Sequence, residues 1–245
     1  MKKAFLNWSS GKDAAFALFE LQQGNDFSVE KLVTTIDATS STVSMHGLRK
    51  ELLLQQVNAV GIPLHLISLD GFVPVEEYNR IMKREMDSLK AEGFTHSVFG
   101  DIFLEDLREF REEQLKKAGL TAVFPLWKMD TQTLMRDFLK AGFKAITVSV
   151  NAKDLDRSFC GRIINETFLA DLPEGVDPAG ENGEYHSFVY DGPYFKEPVA
   201  FRRGEVSEKI SGAPKKDKKQ KSLGKQPSWD TRFWYCDLLP KHQKG

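Results

Sequence analysis

Cysteine is scarce in this chain of 245 residues: there are two, Cys160 and Cys236, far apart and with no C-x-x-C pair. A disulfide framework and a four-cysteine metal site therefore find no support, and a reducing cytosol (a cytoplasmic location) is the expected compartment. An excess of one charge is also missing, with 34 Lys and Arg against 35 Asp and Glu, a formal net charge of −1. A protein built to coat nucleic acid needs surplus positive charge to cover phosphates, so nucleic acid is not an expected partner. No apolar run approaches the roughly 18 residues that a membrane-spanning helix needs. The apolar part of the N-terminus, Ala4–Trp8, is too short for a signal peptide and reads as a first strand. What remains is an ordinary globular composition, 41% hydrophobic and 28% charged, with ample chain to bury a core.

Strand and helix signals alternate through the first half. After Ala4–Trp8 comes a helix pattern over Ala14–Leu21, then the β-branched run Lys31–Ile36 and a Ser/Thr-rich loop. Leu48, Leu52, Leu53, Val57 and Val60 recur at helical spacing until Gly61-Ile62-Pro63 stops them. Leu64–Leu69, Ser97–Phe99 and Thr121–Leu126 supply further strands, separated by a helix marked by Tyr78, Met82, Met86 and Leu89 and by a polar helix to about Lys117. The pattern predicts an α/β fold: a Rossmann-like parallel five-stranded sheet over residues 1–126, with ligands at the carboxyl ends of its strands.

Beyond Pro125-Leu126-Trp127 the texture changes. A helix (Leu134, Phe138, Leu139), a strand (Ala145–Val150) and a stretch rich in Gly, Asp, Glu and aromatics suggest a smaller C-terminal α+β substrate domain over 127–205. Residues 206–228 read as a Lys-rich linker, with six lysines between Lys215 and Lys225. Such a run is either a solvated connector or an electrostatic contact to RNA or a partner. The aromatic segment 229–245, with Trp229, Phe233, Trp234 and Tyr235, is too apolar to hang in water. It packs back on the body or on a second subunit, which would make a homodimer.

The strongest local signal is Ser9-Ser10-Gly11-Lys12-Asp13, between the first strand and the first helix. Small residues let backbone N–H groups approach an anion, the helix N-terminus adds partial positive charge and Lys12 adds a full one. It is not a Walker A loop, because Leu6 stands where the first glycine belongs and Asp13 follows the lysine. The competing reading is an ordinary strand–helix turn with a serine cap. Asp13, Asp37 and Asp101 lie at or just past strand ends and are candidate Mg²⁺ carboxylates, or merely caps and turns. Arg108 and Arg111 follow Gly100-Asp101 near the apolar stripe of a helix and require an anion, either a ligand or Glu105 or Glu112. Glu181, Asn182, Glu184, Tyr185 and His186 crowd polar groups between glycines, as a binding loop or a glycine-rich turn would.

Ser9–Ala14 resembles the S-G-G-K-D-S loop of the PP-loop ATP pyrophosphatases of the adenine nucleotide alpha-hydrolase superfamily, with Ser10 in place of a glycine and Ala14 in place of the last serine. His96–Gly100 with Asp101, Pro125-Leu126-Trp127, Leu155–Arg162, Gly175-Val176-Asp177-Pro178 and Gly180-Glu181-Asn182-Gly183-Glu184-Tyr185-His186 resemble a divergent branch of the diphthine–ammonia ligase family. The ligases proper usually carry alanine where Asp101 stands and a Tyr-Gln pair near Asp106-Leu107, which leaves the acceptor open.

The resemblance implies an ATP-dependent ligase using Mg²⁺. ATP would be cleaved between its α and β phosphates, a carboxylate adenylated, and AMP displaced by ammonia. It implies Lys12, Asp101 and Glu184 as catalytic, and Ser9, Ser10, Gly11, Lys12, Asp13, Thr35, Ile36 and Gly100 as nucleotide-binding. His46, Arg49, Arg108, Arg111, Glu181, Asn182, Tyr185 and His186 would bind substrate, and Asp13 and Asp101 the Mg²⁺. The sequence contains no glutaminase region, so ammonia would arrive free or from a partner. The alternatives are a nucleotide-binding regulator without turnover and a PP-loop tRNA-modifying enzyme.

Overall fold

The computed structural model describes residues 1–43, 47–71, 73–211 and 231–241. His46, and most of the Lys-rich segment, lie outside the described residues.

Five parallel strands form the first sheet: β1 (Lys2–Asn7), β2 (Phe27–Asp37), β4 (Leu64–Leu69), β5 (His96–Val98) and β6 (Thr121–Val123). Their spatial order is β4-β2-β1-β5-β6, so the order reverses between β1 and β5, and that switch point is where doubly wound sheets bind ligands. A two-residue strand, β3 (Thr42–Val43), adds antiparallel to the end of β2. The crossovers carry α1 (Lys12–Gln23), α2 (Lys50–Val60), α3 (Val75–Ala91) and α4 (Glu105–Ala118).

Strand alternation decides which helices cover which face. In β1, Ala4 and Leu6, followed by Trp8, join one core with Phe16, Leu52 and Leu53, whereas Phe5 points the other way to Met86, Leu89, Phe94 and Leu115. The first of these cores continues without a break into the second half of the chain. Phe138 and Phe143 stack at 4.8 Å between centroids, and both meet the edge of Phe16 on α1 at 6.1 Å.

The second half holds α5 (Thr131–Lys140) and an antiparallel sheet of β7 (Lys144–Asn151), β8 (Ile163–Ile164), β9 (Tyr185–Asp191), β10 (Phe201–Ser211) and β11 (Thr231–Pro240). A short helix, α6 (Glu166–Ala170), follows β8. One correction to the sequence reading falls here. Residues 206–211 are strand, not the start of a linker, because β10 pairs with β11 up to Ser211↔Thr231. Of the aromatic tail, Thr231–Pro240 packs back on its own chain, as β11 between β10 and β7, and Trp229 lies outside the described residues.

Candidate functional site

The loop after β1 is fixed from below. Trp8 donates its backbone N–H to Val33 O at 2.8 Å, and the Trp8 carbonyl accepts the Thr34 hydroxyl at 2.6 Å. Ser10, with φ +72°, turns its carbonyl inward, where the Val189 N–H and the Gln56 amide both donate to it at 3.0 Å. The same Gln56 amide donates to Val189 O at 2.6 Å and accepts from the Trp8 indole at 2.8 Å. Gln56 thus ties α2, the loop and β9 together. Replacing it with Leu strands the groups it serves, each at a cost of roughly 1–3 kcal/mol, and thermal unfolding of Gln56→Leu checks that loss.

Gly11 caps α1 with extended backbone and no side-chain bond, so the first N–H groups of the helix lack intrahelical acceptors. Two of these are taken internally, Gly11 N–H by the Ser9 hydroxyl at 3.3 Å and Lys12 N–H by the Ser187 hydroxyl at 3.1 Å. The Lys12 side chain is 3% exposed; its ammonium lies 3.0 Å from Asp13 Oδ2 and 5.0 Å from the centroid of the Tyr185 ring. Gly100, after β5, is pressed against the first turn of α1: a Cβ there would fall 2.7 Å from the Asp13 carbonyl carbon and 2.9 Å from Ala14 N. This close approach brings Asp101 toward Asp13. Arg111, from α4, holds the Asp101 carboxylate with Nε 2.9 Å from Oδ2 and Nη2 3.2 Å from Oδ1.

The glycine-rich segment of the second half closes over this point. Asp177 knots it by accepting the Ala179 and Glu181 N–H groups at 3.1 and 2.9 Å. The Tyr185 hydroxyl reaches back to Pro178 O at 2.6 Å, and Gly180, at φ +67°, leaves room for the Tyr185 ring, which a Cβ there would meet at 2.7 Å. Glu181 crosses to the first sheet, where its Oε1 accepts the Ile102 N–H at 2.8 Å.

The electrostatics follow from this crowding of acids. Desolvation, and then the neighbouring Asp13 and Asp101, push the Glu181 carboxyl up to about 7 despite its bond from Ile102. Burial likewise raises Asp13 against the pull of Lys12, and raises Asp101 against the pull of Arg111. Burial, and then the Lys12 charge, lower His186 to about 4, so its imidazole is neutral at physiological pH. Tyr185 is held well above the usual phenol range by burial.

Ser9–Asp13, Gly100, Asp101, Arg111, Glu181, Tyr185 and His186 therefore come together. Other residues singled out in the sequence sit elsewhere. Glu184 is 4% exposed, and its Oε1 accepts from Asp177 N and Asn182 Nδ2 at 3.0 and 3.1 Å, so both side chains brace their own loop. Arg108 pairs with Glu112 at 2.7 Å and stacks on Trp127 at 4.6 Å. Arg49 forms a two-pronged pair with Asp237, at 2.8 and 2.7 Å, on the wall of a cavity of about 560 Å³ between the start of α2 and the β10–β11 hairpin. Thr35 and Ile36 are paired to β4, and Ile36 also to β3. Asp37 accepts from Thr39 N and Ser40 Oγ, the turn role. Sequence reasoning assigned no role to Gln56, Asp177 or Ser187. Gln56 carried a signal, a polar residue on the stripe of Leu52 and Leu53.

Among the described residues no three His, Cys, Asp or Glu side chains are arranged to hold a metal ion by themselves. Asp13 Oδ1 is nevertheless buried without a partner, close to a second desolvated carboxylate. One or two carboxylates with phosphate oxygens is a donor set that suits Mg²⁺.

A Rossmann-like sheet with a lysine-bearing loop at its switch point defines a doubly wound α/β protein with a candidate anion-binding loop. Comparison with known families then places it further. Residues 1–122 match the diphthamide synthase N-terminal domain and residues 130–222 the diphthamide synthase C-terminal domain. The chain belongs to this diphthamide synthase, or diphthine–ammonia ligase, family. It is 29% identical over 136 residues to the diphthine–ammonia ligase of Schizosaccharomyces pombe, covering 54% of this chain and 22% of that one. It is 28% identical over 138 residues to the Homo sapiens enzyme, covering 54% and 50%, and 27% over 176 residues to the Mus musculus enzyme, covering 61% and 64%. The matches thus span between about a fifth and two thirds of these relatives. A solved U34-tRNA thiolase, NcsA from Methanococcus maripaludis, aligns over 57% of this chain and 56% of that one at 15% identity, with a TM-score of 0.36, too slight a likeness to argue from.

Proposed function

We propose that this chain is an ATP-dependent ligase that adenylates a carboxylate, releases pyrophosphate, and converts the acyl-adenylate to an amide with ammonia. The reading is carried by one observation: Glu181, from the second half, meets Lys12, Asp13 and Asp101 at the carboxyl ends of β1 and β5. In the proposed reaction a carboxylate oxygen attacks the α-phosphorus and the α–β bridge breaks toward the departing pyrophosphate. Lys12 and the free N–H groups of the first turn of α1 take up the charge that develops on it. Ammonia then attacks the acyl carbon, AMP leaves, and the proton shed by nitrogen passes to Glu181. Mg²⁺, held by Asp13 and Asp101, would neutralise phosphate charge. Arg111 keeps Asp101 in place, and Asp177, Asn182 and Glu184 keep Glu181 in reach.

The acceptor suggested by the named relatives is diphthine. Incubation of a diphthine-bearing acceptor with ATP, Mg²⁺ and an ammonium salt should give the amide by mass spectrometry, with loss of product when ammonium is omitted. Pyrophosphate release without amide would keep the ATP chemistry and remove diphthine as acceptor.

A base whose pKa lies near 7 shapes the pH profile. At a fixed concentration of free ammonia, the rate should climb through an acidic limb centred near the pKa of about 7 carried by Glu181. Glu181→Gln should flatten that limb and lower the rate roughly 10²–10⁴-fold. The same shift acts on stability with the opposite sense. The folded state holds this proton at pH values where the unfolded chain has lost it, so its contribution is complete below the ordinary carboxylate pKa and is lost as the pH rises through about 7. Glu181→Gln should remove that slope from urea unfolding measured across the same range.

A further inference from the structure

We infer that Phe99 is a positioning residue of the proposed reaction: its ring, lying against the Arg111 guanidinium, fixes the plane of the fork that holds Asp101. The inference deepens the ligase reading above and rests on it for the role of Asp101. The first half of α4, which carries Arg111, is not anchored by apolar burial. The helix buries Leu115, near its end, whereas Glu105, Asp106, Glu109 and Phe110 at its start are exposed. Its start rests instead on a row of rings from the ends of β5 and β6. The Arg111 guanidinium carbon lies 4.3 Å from the centroid of the Phe99 ring. Phe99 stacks on Phe124 at 5.5 Å and 22°. One turn earlier in the helix, Arg108 lies over Phe124 and Trp127 at 5.2 and 4.6 Å. Phe99 itself is 7% exposed and tied to β6, its N–H donating to Val123 O at 2.9 Å.

Ring and carboxylate constrain the guanidinium in different ways. Asp101 takes N–H groups along one edge of the fork, with Nε 2.9 Å from Oδ2 and Nη2 3.2 Å from Oδ1, which leaves the fork free to tilt about that edge. The face of an aromatic ring attracts a guanidinium laid against it. That contact removes the tilt and leaves the N–H groups to the carboxylate. The pair alone would be loosely held, because Arg111 keeps 30% of its side-chain surface in solvent and solvated ion pairs fix little. The row also gives a place to residues that the nucleotide chemistry does not use. Pro125-Leu126-Trp127 supplies its far end, and Arg108 ties that end to α4. A displaced Arg111 would let Asp101 turn away from Asp13, so Phe99 touches no reacting group yet sets the geometry of one that does.

Phe99→trifluorophenylalanine keeps the shape of the ring and strips its face of negative charge, so it tests attraction apart from packing. Thermal unfolding, kcat and KM for ATP in pyrophosphate release, and the NMR order parameter of the Arg111 Nε–H are read on it, on Phe99→Leu and on the unaltered chain. The fluorinated variant should melt close to the unaltered chain. Its kcat should fall roughly 2- to 30-fold, the range that one guanidinium–ring contact covers, and its KM for ATP should rise by less. The Arg111 order parameter should fall in both variants. In an Arg111→Met background, fluorination should change kcat no further, because its partner is gone. An unchanged kcat and order parameter in the fluorinated variant would show that Phe99 only packs, which overturns the inference and leaves the ligase reading standing. So would an equal loss of kcat on fluorination in the Arg111→Met background. If the unaltered chain releases no pyrophosphate with any acceptor, the ligase reading falls and takes the role of Phe99 with it.

Discussion

Lys12→Ala should abolish measurable pyrophosphate release and weaken ATP binding. Among the described residues the ammonium is the cation lodged inside the loop, held there at 3% exposure against Asp13. Take it away, and a triphosphate entering the loop meets Asp13 and Glu181 with Arg111 as the neighbouring full positive charge, and that one is already engaged by Asp101. Loss of one donor aimed at charge that develops in a transition state costs about 10²–10³-fold in rate, and a full charge in a water-poor site belongs at or above the upper end. Lys12→Arg is a useful companion, because it retains the charge but cannot fit the same enclosed space beside the Tyr185 ring. It should keep some nucleotide affinity and lose most turnover. Calorimetry with ATP beside a coupled pyrophosphate assay separates the two quantities.

Gly100→Ala is the second large effect, and its cause is steric. The added methyl group would lie under 3 Å from three backbone atoms, Asp13 C at 2.7 Å and Ala14 N and Asp13 O at 2.9 Å. Backbone cannot swing aside as a flexible side chain does, so the first turn of α1 must move off the end of β5. That displaces the phosphate-facing N–H groups and parts Asp101 from Asp13. Overpacking of this kind typically costs 1–3 kcal/mol of stability, so thermal unfolding should show a modest loss. Activity should fall much further, since misplacement by about 1 Å can cost on the order of 10²-fold. A variant that keeps full activity would show that the contact between β5 and α1 does not position the chemistry.

Much of the first sheet was legible because its signals are local. Runs such as Lys31–Ile36 are β-branched, and Gly61-Ile62-Pro63 cannot continue a helix, so five strands and their crossovers could be counted from the chain. The two residues of β3 were not legible: Thr42–Val43 sits in a Ser/Thr-rich loop and is strand only because β2 runs alongside. The same holds for 206–211, a mostly polar run that reads as the start of a solvated connector until β11 pairs with it.

The site divides in the same way. The loop Ser9–Asp13 could be found from residue type and position, because its chemistry is carried by neighbours in sequence. Which acid of the Gly180–His186 segment meets the loop could not. Glu181 and Glu184 look alike on paper, and only the turn held by Asp177 sends the first across to Ile102 and folds the second inward. Arg111 is a similar case. Its partner is Asp101, before the helix begins, whereas the protein partners the sequence offered were Glu105 or Glu112, and Glu112 is taken by Arg108.

The central claim is the place where ATP breaks, and phosphorus NMR of the reaction mixture reads it directly. With ATP, Mg²⁺, an ammonium salt and an acceptor that supports turnover, AMP and pyrophosphate should accumulate together, in equal amounts and from the first time point. ADP and orthophosphate as the primary products would contradict the account, because the loop after β1 would then not be directing cleavage between the α and β phosphates.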